Sequence, residues 1–500
     1  MKTLVLLGLF FGAAAAANAQ PAPSATPRPS PQIHHAVSSN AAAQAAFDRG
    51  LLDYYAYNPE AAEHEFYTAA DLDPKMAMAY WGIALSNAPN LNVPATDGRQ
   101  AQAQQAIECA KSLEANASVE DRRFIDAAAA RFDDKTKATP DALLSNYRDS
   151  LKRIAAAYPA YPDDPDAAAL YAEAALYAAV GDVTLNREGW IAARRAAYIN
   201  GVAVLLPYFQ ASLIKFPKHI GLLHFYIHAA QFAGQSPAAV AAAAQLAAFD
   251  FPSEDSHLTH MPGHTFFDVG MYDEALDVGR RSVSMDYAAI DCCHPGYYSA
   301  PRYYHTHNVS FLLYAMTQTG HQADAVAVAR RADNPVMIAR SLVAVGDWHG
   351  VLDVSFPKGV PGPTPSFIHA LAFAKLGDVS KARSALAQMP AAPAAFPSRI
   401  AIEDSMRHMV LAQIALDEND AGAALQLLTQ ASGEATRGDR LAGGVEMPTL
   451  YYYSPHMALA ELARKMGNTA VARAALNAEL NASPRSSAAT QALKQLGGSQ

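Results

Sequence analysis

The sequence predicts an all-α chain folded as a helical-repeat solenoid, and three observations carry that expectation. Alanine dominates long stretches such as 166–180 and 237–249, and alanine is the best helix former because it loses no side-chain entropy. Period-two alternation of apolar and polar residues, the mark of a half-buried strand, is scarce. After the N-terminal region about 465 residues remain, too many for one compact core unless the architecture is elongated or repeated.

Met1 and Lys2 precede an apolar run from Leu4 to Ala17, which closes on the small-residue site Ala17-Asn18-Ala19. That layout predicts a secretory signal peptide over residues 1–19. The run is shorter than the ~20 residues a bilayer span needs, and no cysteine follows the site to take a lipid. The expected mature chain therefore starts near Gln20, is periplasmic or secreted, and makes no stable membrane insertion. Residues 20–33 alternate proline with alanine and serine, cannot bury a core, and read as an extended linker. From about His34 to Leu496, residues 34–496, the expectation is one continuous right-handed repeat array.

Charge names no partner. The net charge is −9 with no long basic run, which argues against nucleic acid and against an anionic membrane surface. The three cysteines, Cys109, Cys292 and Cys293, are too few and too unevenly placed for a disulfide framework. The adjacent pair rarely bridges, because a vicinal disulfide is strained.

The repeats show as turns followed by small residues at set offsets. Ala62, Phe66, Ala69 and Pro74 fall at second-helix positions of one unit, and Tyr80-Trp81-Gly82 is expected to open the next helix. Gly270-Met271-Tyr272-Asp273-Glu274-Ala275 supplies a tight turn and the contact alanine of another, and the same signal recurs at Gly320 to Ala325, Gly377 to Ala382 and Gly467 to Ala472. Small residues at such offsets over ~34 residues are the pattern of tetratricopeptide repeats. A unit of this kind buries its apolar face only by stacking on its neighbours.

A scaffold alone does not require the histidine distribution. Nine of the seventeen histidines lie in 219–307: His219, His224, His228, His257, His260, His264, His294, His305 and His307; an even spread would place about three there. His224 and His228 are one helical turn apart on one face. His257, His260 and His264 are spaced three and four apart, although Pro262 is expected to kink or start the helix and leave His260 on the entering loop. Neutral imidazoles ligate zinc or copper at ~2.0–2.1 Å, so His224, His228, His260 and His264, with His305 or His307, are expected to converge on one metal site. Asp255 or Asp291 is expected to orient them. Phe225 stands where a His-Glu-x-x-His protease carries its general base, which excludes that mechanism.

Three further segments carry weaker signals. Asp291-Cys292-Cys293-His294-Pro295-Gly296 combines ligand types that suit copper or zinc. Tyr303 to Asn308 begins an apolar helix, Val309 to Thr317, and places polar side chains at its N-terminus, where they either contribute to the site or, in the plainer reading, cap the helix through Asn308 or Thr306. Trp81 with Asn87, Asn90 and Asn92 is a possible pocket lining, against the commoner role of tryptophan in packing between repeats.

These segments resemble, in order along most of the chain, a bacterial family described only as tetratricopeptide-repeat proteins. The resemblance rests on Ala77-Met78-Ala79-Tyr80-Trp81-Gly82, His224-Phe225-Tyr226-Ile227-His228, His260-Met261-Pro262-Gly263-His264 and His307-Asn308, together with Asn58-Pro59-Glu60-Ala61, Asp73-Pro74, Tyr158 to Tyr161 and Gly346-Asp347-Trp348. Phe225 and Gly263 replace a Tyr and a Ser of the family pattern and spare every imidazole. Glu446-Met447-Pro448-Thr449 before Tyr451 to Tyr453 departs from a Glu-Pro-Pro segment. The resemblance implies the fold and no particular activity.

Two functions are compatible with the chain: an exported scaffold binding a partner protein or peptide, with a histidine-rich metal site in its middle repeats, or a metal-dependent enzyme with its active site in that pocket. A scaffold spreads its polar contacts over many units; a metalloprotein gathers its histidines at one place.

Overall fold

The computed structural model describes residues 27–93, 96–132, 149, 164–180, 200–292, 299–358, 364–392, 397–442 and 453–497. These residues form α-helices joined by short turns, with no strand among them. The first third holds α1 (Ala41–Tyr55), α2 (Pro59–Leu72), α3 (Ala77–Ser86), α4 (Asp97–Leu113), α5 (Val119–Arg131) and α6 (Pro165–Val180). The middle holds α7 (Leu206–Lys215), α8 (Ile220–Phe232), α9 (Val240–Ala247), α10 (Ser256–Asp268), α11 (Tyr272–Cys292) and α12 (Ser299–Gln318). Ten more follow among the described residues: α13 (Gln322–Arg331), α14 (Pro335–Val345), α15 (Trp348–Leu352), α16 (Thr364–Lys375), α17 (Val379–Ala387), α18 (Pro397–Asp417), α19 (Ala421–Ala442), α20 (Pro455–Lys465), α21 (Thr469–Ala482) and α22 (Ser487–Gly497).

One local device makes the hairpins. Tyr57, Gly234, Gly270, Gly320, Gly346, Gly377, Asn419 and Gly467 all take a left-handed conformation, with φ between 55° and 85°. The next residue's N–H then donates to the carbonyl five residues back, as from Met271 to Phe266 (2.7 Å), Asp378 to Phe373 (2.9 Å) and Asn468 to Ala463 (2.8 Å). This is the Schellman closure, which satisfies orphan carbonyls and stops the helix where left-handed backbone is cheapest, at glycine. Five residues beyond each left-handed position stands a small side chain: Ala62, Ala239, Ala275, Ala325, Val351, Ala382, Ala424 and Ala472, none more than 2 % exposed. There the second helix crosses the first, and only a small side chain lets the backbones approach. The turn signals read from the sequence at Gly270, Gly320, Gly377 and Gly467 are four of these eight. The architecture is an all-α, tetratricopeptide-type helical-repeat solenoid.

Its apolar core forms three clusters in chain order, from Ala43 to Met337, from Ala339 to Ala431 and from Ala412 to Leu496. In the first, the Phe66 ring fills the space a Cβ would take at Gly50 (2.9 Å) and Gly82 (2.5 Å), so α1, α2 and α3 pack closely. Tyr80-Trp81-Gly82 lies inside α3, which starts at Ala77 and not at Tyr80, and the Trp81 ring packs tilted against Phe47 and Phe124, which makes it packing between repeats.

Part of the segment expected to be a linker lies on the repeats. Arg28 pairs with Asp277 at 3.0 Å, and the Pro29 carbonyl accepts the Asp250 N–H. Further on, the His35 ring bridges Asp121 (2.9 Å) and Asp166 (3.0 Å), while Asp166 also accepts from the Tyr55 hydroxyl and contacts His219. The expected signal peptide, residues 20–26, Tyr158 to Tyr161, Cys293 to Gly296, and Glu446 to Tyr452 lie outside the described residues. No helix among the described residues is long and apolar enough to cross a membrane.

Candidate metal centre

Three helices carry the expected ligands, and each presents them for a local reason. On α8, His224 and His228 are four residues apart and share a face. On α10, His257, His260 and His264 form one stripe, because the helix starts at Ser256 and runs through Pro262. His260 is therefore helical and not on an entering loop: the helix starts directly after the 3-10 turn Ser253–Asp255, and Pro262 lies inside it at the loss of one backbone hydrogen bond. On α12, the helix likewise begins at Ser299 and includes His305, His307 and Asn308, so neither Thr306 nor Asn308 caps it. Pro301 sits in its first turn, where a missing N–H costs no hydrogen bond.

The histidines form two groups of three and not one group of four or five. His224, His228 and His257 make the first triad; His260, His264 and His307 make the second; in each, one ring nitrogen per residue lies within 4.8 Å of the other two. In the second triad the His264 Nε2 is 3.0 Å from His260 Nε2 and 3.3 Å from His307 Nε2. Ligands bound at ~2.0–2.1 Å with near-tetrahedral angles stand ~3.3 Å apart. These nitrogens are thus already at ligand spacing. In the first triad the Nε2 atoms of His224 and His228 and the Nδ1 of His257 are buried without a hydrogen-bond partner.

Surrounding groups hold the rings. The His224 Nδ1–H donates to the Tyr55 carbonyl at 2.6 Å, which leaves the Nε2 lone pair free. The Asn92 side-chain amide sits 3.2 Å from His257 Nε2 and 3.0 Å from the Tyr304 hydroxyl. The atom facing both is the Asn92 Nδ2, which donates to the Tyr304 hydroxyl, and that hydroxyl donates in turn to the Tyr57 carbonyl. The Tyr304 ring stacks on His257 with centroids 4.1 Å apart, and Phe311 packs against all three rings of the second triad. Tyr57 contacts His224, His228 and His257.

Electrostatics keep the imidazoles neutral. Burial pushes His224 and His307 down to about 4. Burial first, and then neighbouring imidazoles, hold His228, His257, His260 and His264 well below the ordinary value. His228 is lowered by members of both triads, His224, His264 and His307. A neutral imidazole is the form that ligates.

His305 is turned away: its Nδ1 pairs with Asp286 at 3.2 Å, which also accepts from the Asn308 amide. Two residues apart on a helix, His305 and His307 project ~200° from each other, so only one can face the triads. Asp255 does not orient the ligands either. It lies fully buried against Asp53, and burial first, then Glu254, pushes its carboxyl up to about 7. Asp291 and Cys292 have side chains outside the described residues. The group His35, Asp164 and Asp166 is also compact, but both His35 nitrogens are used by carboxylates. Burial alone would lower His35; Asp121 and Asp166 override it and raise it well above 6.5.

Sequence reading left out His257 as a ligand and missed the roles of Asn92 and Tyr57. His257 carried a signal, its spacing to His260 and His264. Asn92 carried one as well, among the residues expected to line a pocket, but not its partner, which lies 165 residues on in the chain; Tyr57 carried none.

No family model and no curated protein matches the chain. Among solved structures it is similar to that of the APC/C hetero-tetramer Cut9-Hcn1, at 14% identity over 91% of this chain and 90% of the other, with a TM-score of 0.31. A second is the human IFIT1 dimer with m7Gppp-AAAA, at 12% identity over 92% and 90%, also at 0.31. At that score the superpositions carry no argument about this chain, and the fold stands on its own turns and packing.

Proposed function

We propose that this is an exported helical-repeat metalloprotein whose middle repeats bury a transition-metal centre of zinc or copper. One observation carries the reading: six imidazoles in two triads, with the inward nitrogens of the first triad lacking any protein partner. A buried polar atom left unpaired costs about 1–3 kcal/mol, and one ion held by the three rings, each with a nitrogen within 4.8 Å of the others, would satisfy such atoms together. Export is supported by the Lys2, Leu4 to Phe11 and Ala17-Asn18-Ala19 pattern. The test is elemental analysis of mature protein isolated from the periplasmic fraction or medium without chelators. Stoichiometric zinc or copper is expected; a metal-free protein that also takes up neither ion on titration would sink the reading. N-terminal sequencing is expected to begin near Gln20, and an intact Met1 would refute export.

A second role, binding a partner peptide, has one observation in its favour. A cavity of about 1130 Å³ opens between middle and C-terminal repeats, lined by Asp268, Tyr272, Tyr314, Glu461, Arg464 and Glu479. This mixture of aromatic and charged groups suits an extended peptide. A photo-reactive side chain placed at Tyr272 is expected to cross-link a peptide partner in cells, and an adduct-free protein argues against this role.

A further inference from the structure

We propose that the two triads hold two copper ions side by side, one ion per triad, and that the pair takes up dioxygen between them. This deepens the metal-centre reading and rests on it. Within the triads the ring centroids are 4.7 to 6.0 Å apart. Imidazole centroids lie ~3.2 Å from an ion bound at the usual length, so rings sharing one ion stand ~4.5–5.5 Å apart. The widest pair, His228 and His257, closes slightly on loading.

Between the triads the approaches are wider, 6.3 Å from His257 to His260 and 6.5 Å from His228 to His264. One six-coordinate ion would need rings of opposite triads as neighbours at ~4.5 Å. The geometry therefore points to two ions. They are adjacent, because α10 serves both: His257 ligates in one triad and His260, a single turn on, in the other.

The donor set selects the metal. Neither triad contains a carboxylate, and the walls are Phe225, Phe311 and the face of Tyr57. Two divalent ions would place four positive charges in this space with no anionic ligand, a costly arrangement. Copper(I) carries half that charge and accepts imidazole. Each triad leaves a coordination position open, as three-histidine sites do. Dioxygen entering between the ions takes one electron from each copper(I). The products are two copper(II) ions and one bridging peroxide dianion, with no proton or further reductant needed. That dianion supplies the negative charge the protein donors lack.

The experiment strips the mature chain of metal, loads it anaerobically with copper(I), counts copper per chain and then admits dioxygen. The expected result is two copper ions per chain, colourless until oxygen brings a strong charge-transfer band. The electron paramagnetic resonance signal should then account for only a small fraction of the copper, because adjacent copper(II) spins pair. His264→Ala is expected to halve the copper content and make the remaining copper(II) fully visible in the resonance spectrum. Circular dichroism checks that this variant folds; His307→Asn, at the less buried edge, provides the same readout if it does not. Wild-type protein binding one copper, or two that are both fully visible after oxygen, overturns the pair and leaves the metal centre standing. Two zinc ions that copper does not displace overturn the choice of copper. A chain that binds no metal overturns both readings.

Discussion

Tyr57 shows how a single residue joins the fold to the site. It occupies the left-handed turn position that glycine fills in most hairpins, with φ of 55°, a conformation that costs a bulky residue of order 1–3 kcal/mol. The ring is held there by His224, Phe225, His228 and His257, so the strain is kept at the wall of the candidate metal centre. Asn92 acts on the same wall by holding the His257 ring and the Tyr304 hydroxyl through its side-chain Nδ2. Asn92→Leu is expected to weaken copper or zinc binding about 10–100-fold with helix content unchanged, as loss of a group orienting a ligand typically does; competition with a chromophoric chelator measures it. Glu173 on α6 is fully buried with both carboxylate oxygens unpartnered. Burial pushes it up to about 7 against the pull of Arg131. A carboxyl raised in the folded state contributes in full below its ordinary value and loses that contribution as pH rises through about 7. Glu173→Gln should therefore raise the thermal midpoint in mildly alkaline buffer, by roughly 1–3 kcal/mol of stability, and leave it nearly unchanged in acid.

At the scale of the element, the repeated unit depends on its turn and on the small residue five positions later. Ala325 is fully buried where α13 crosses its neighbour, and Ala325→Leu is expected to cost about 1–3 kcal/mol by overpacking, read as a lowered thermal midpoint. Gly270 is bound more tightly still. Its φ is +73° and a Cβ there would stand 2.0 Å from the Pro484 carbonyl oxygen, so the turn after α10 is also a docking point for the C-terminal helices. The N-terminal strap is tied by charge instead. His35 contributes most below about 6.5, its ordinary value, and this is lost as pH rises through its higher folded value. His35→Ala is expected to cost about 3 kcal/mol near pH 6, with a smaller difference from wild type in alkaline buffer. An unchanged gap across that range in thermal melts would contradict the charged clamp between Asp121 and Asp166.

The whole molecule is a stack in which each unit holds the next, and the candidate centre sits where three units meet. Metal held by α8, α10 and α12 therefore links units that are otherwise joined by apolar contact and a few polar ties, such as Ser236 to Asp268 and Asn308 to Asp286. Loading with copper or zinc at a thousandfold excess over Kd is expected to stabilise the chain by about 4 kcal/mol. A chelator should reverse the gain in a calorimeter, and equal midpoints with and without metal would show that the folded chain does not hold the ion.

The helical repeats were legible because their signals are local. A left-handed glycine, the hydrogen bond five residues back and the alanine five residues on all lie within one hairpin, so Gly270 to Ala275 and Gly377 to Ala382 announce it without any partner. The shared face of His224 and His228 was legible for the same reason, as helical pitch alone sets it. Which nitrogens meet was not. That α12 turns His307 inward and gives His305 to Asp286 depends on the helix's rotation, which is set by packing on α11 and the neighbouring aromatic layer. That His257 and His260, one turn apart on α10, serve different triads depends on where α8 and α12 pass. Tyr57 and Asn92 join the centre only because the solenoid brings the first repeats against the middle ones, and long-range packing of that kind leaves no periodic trace in the chain.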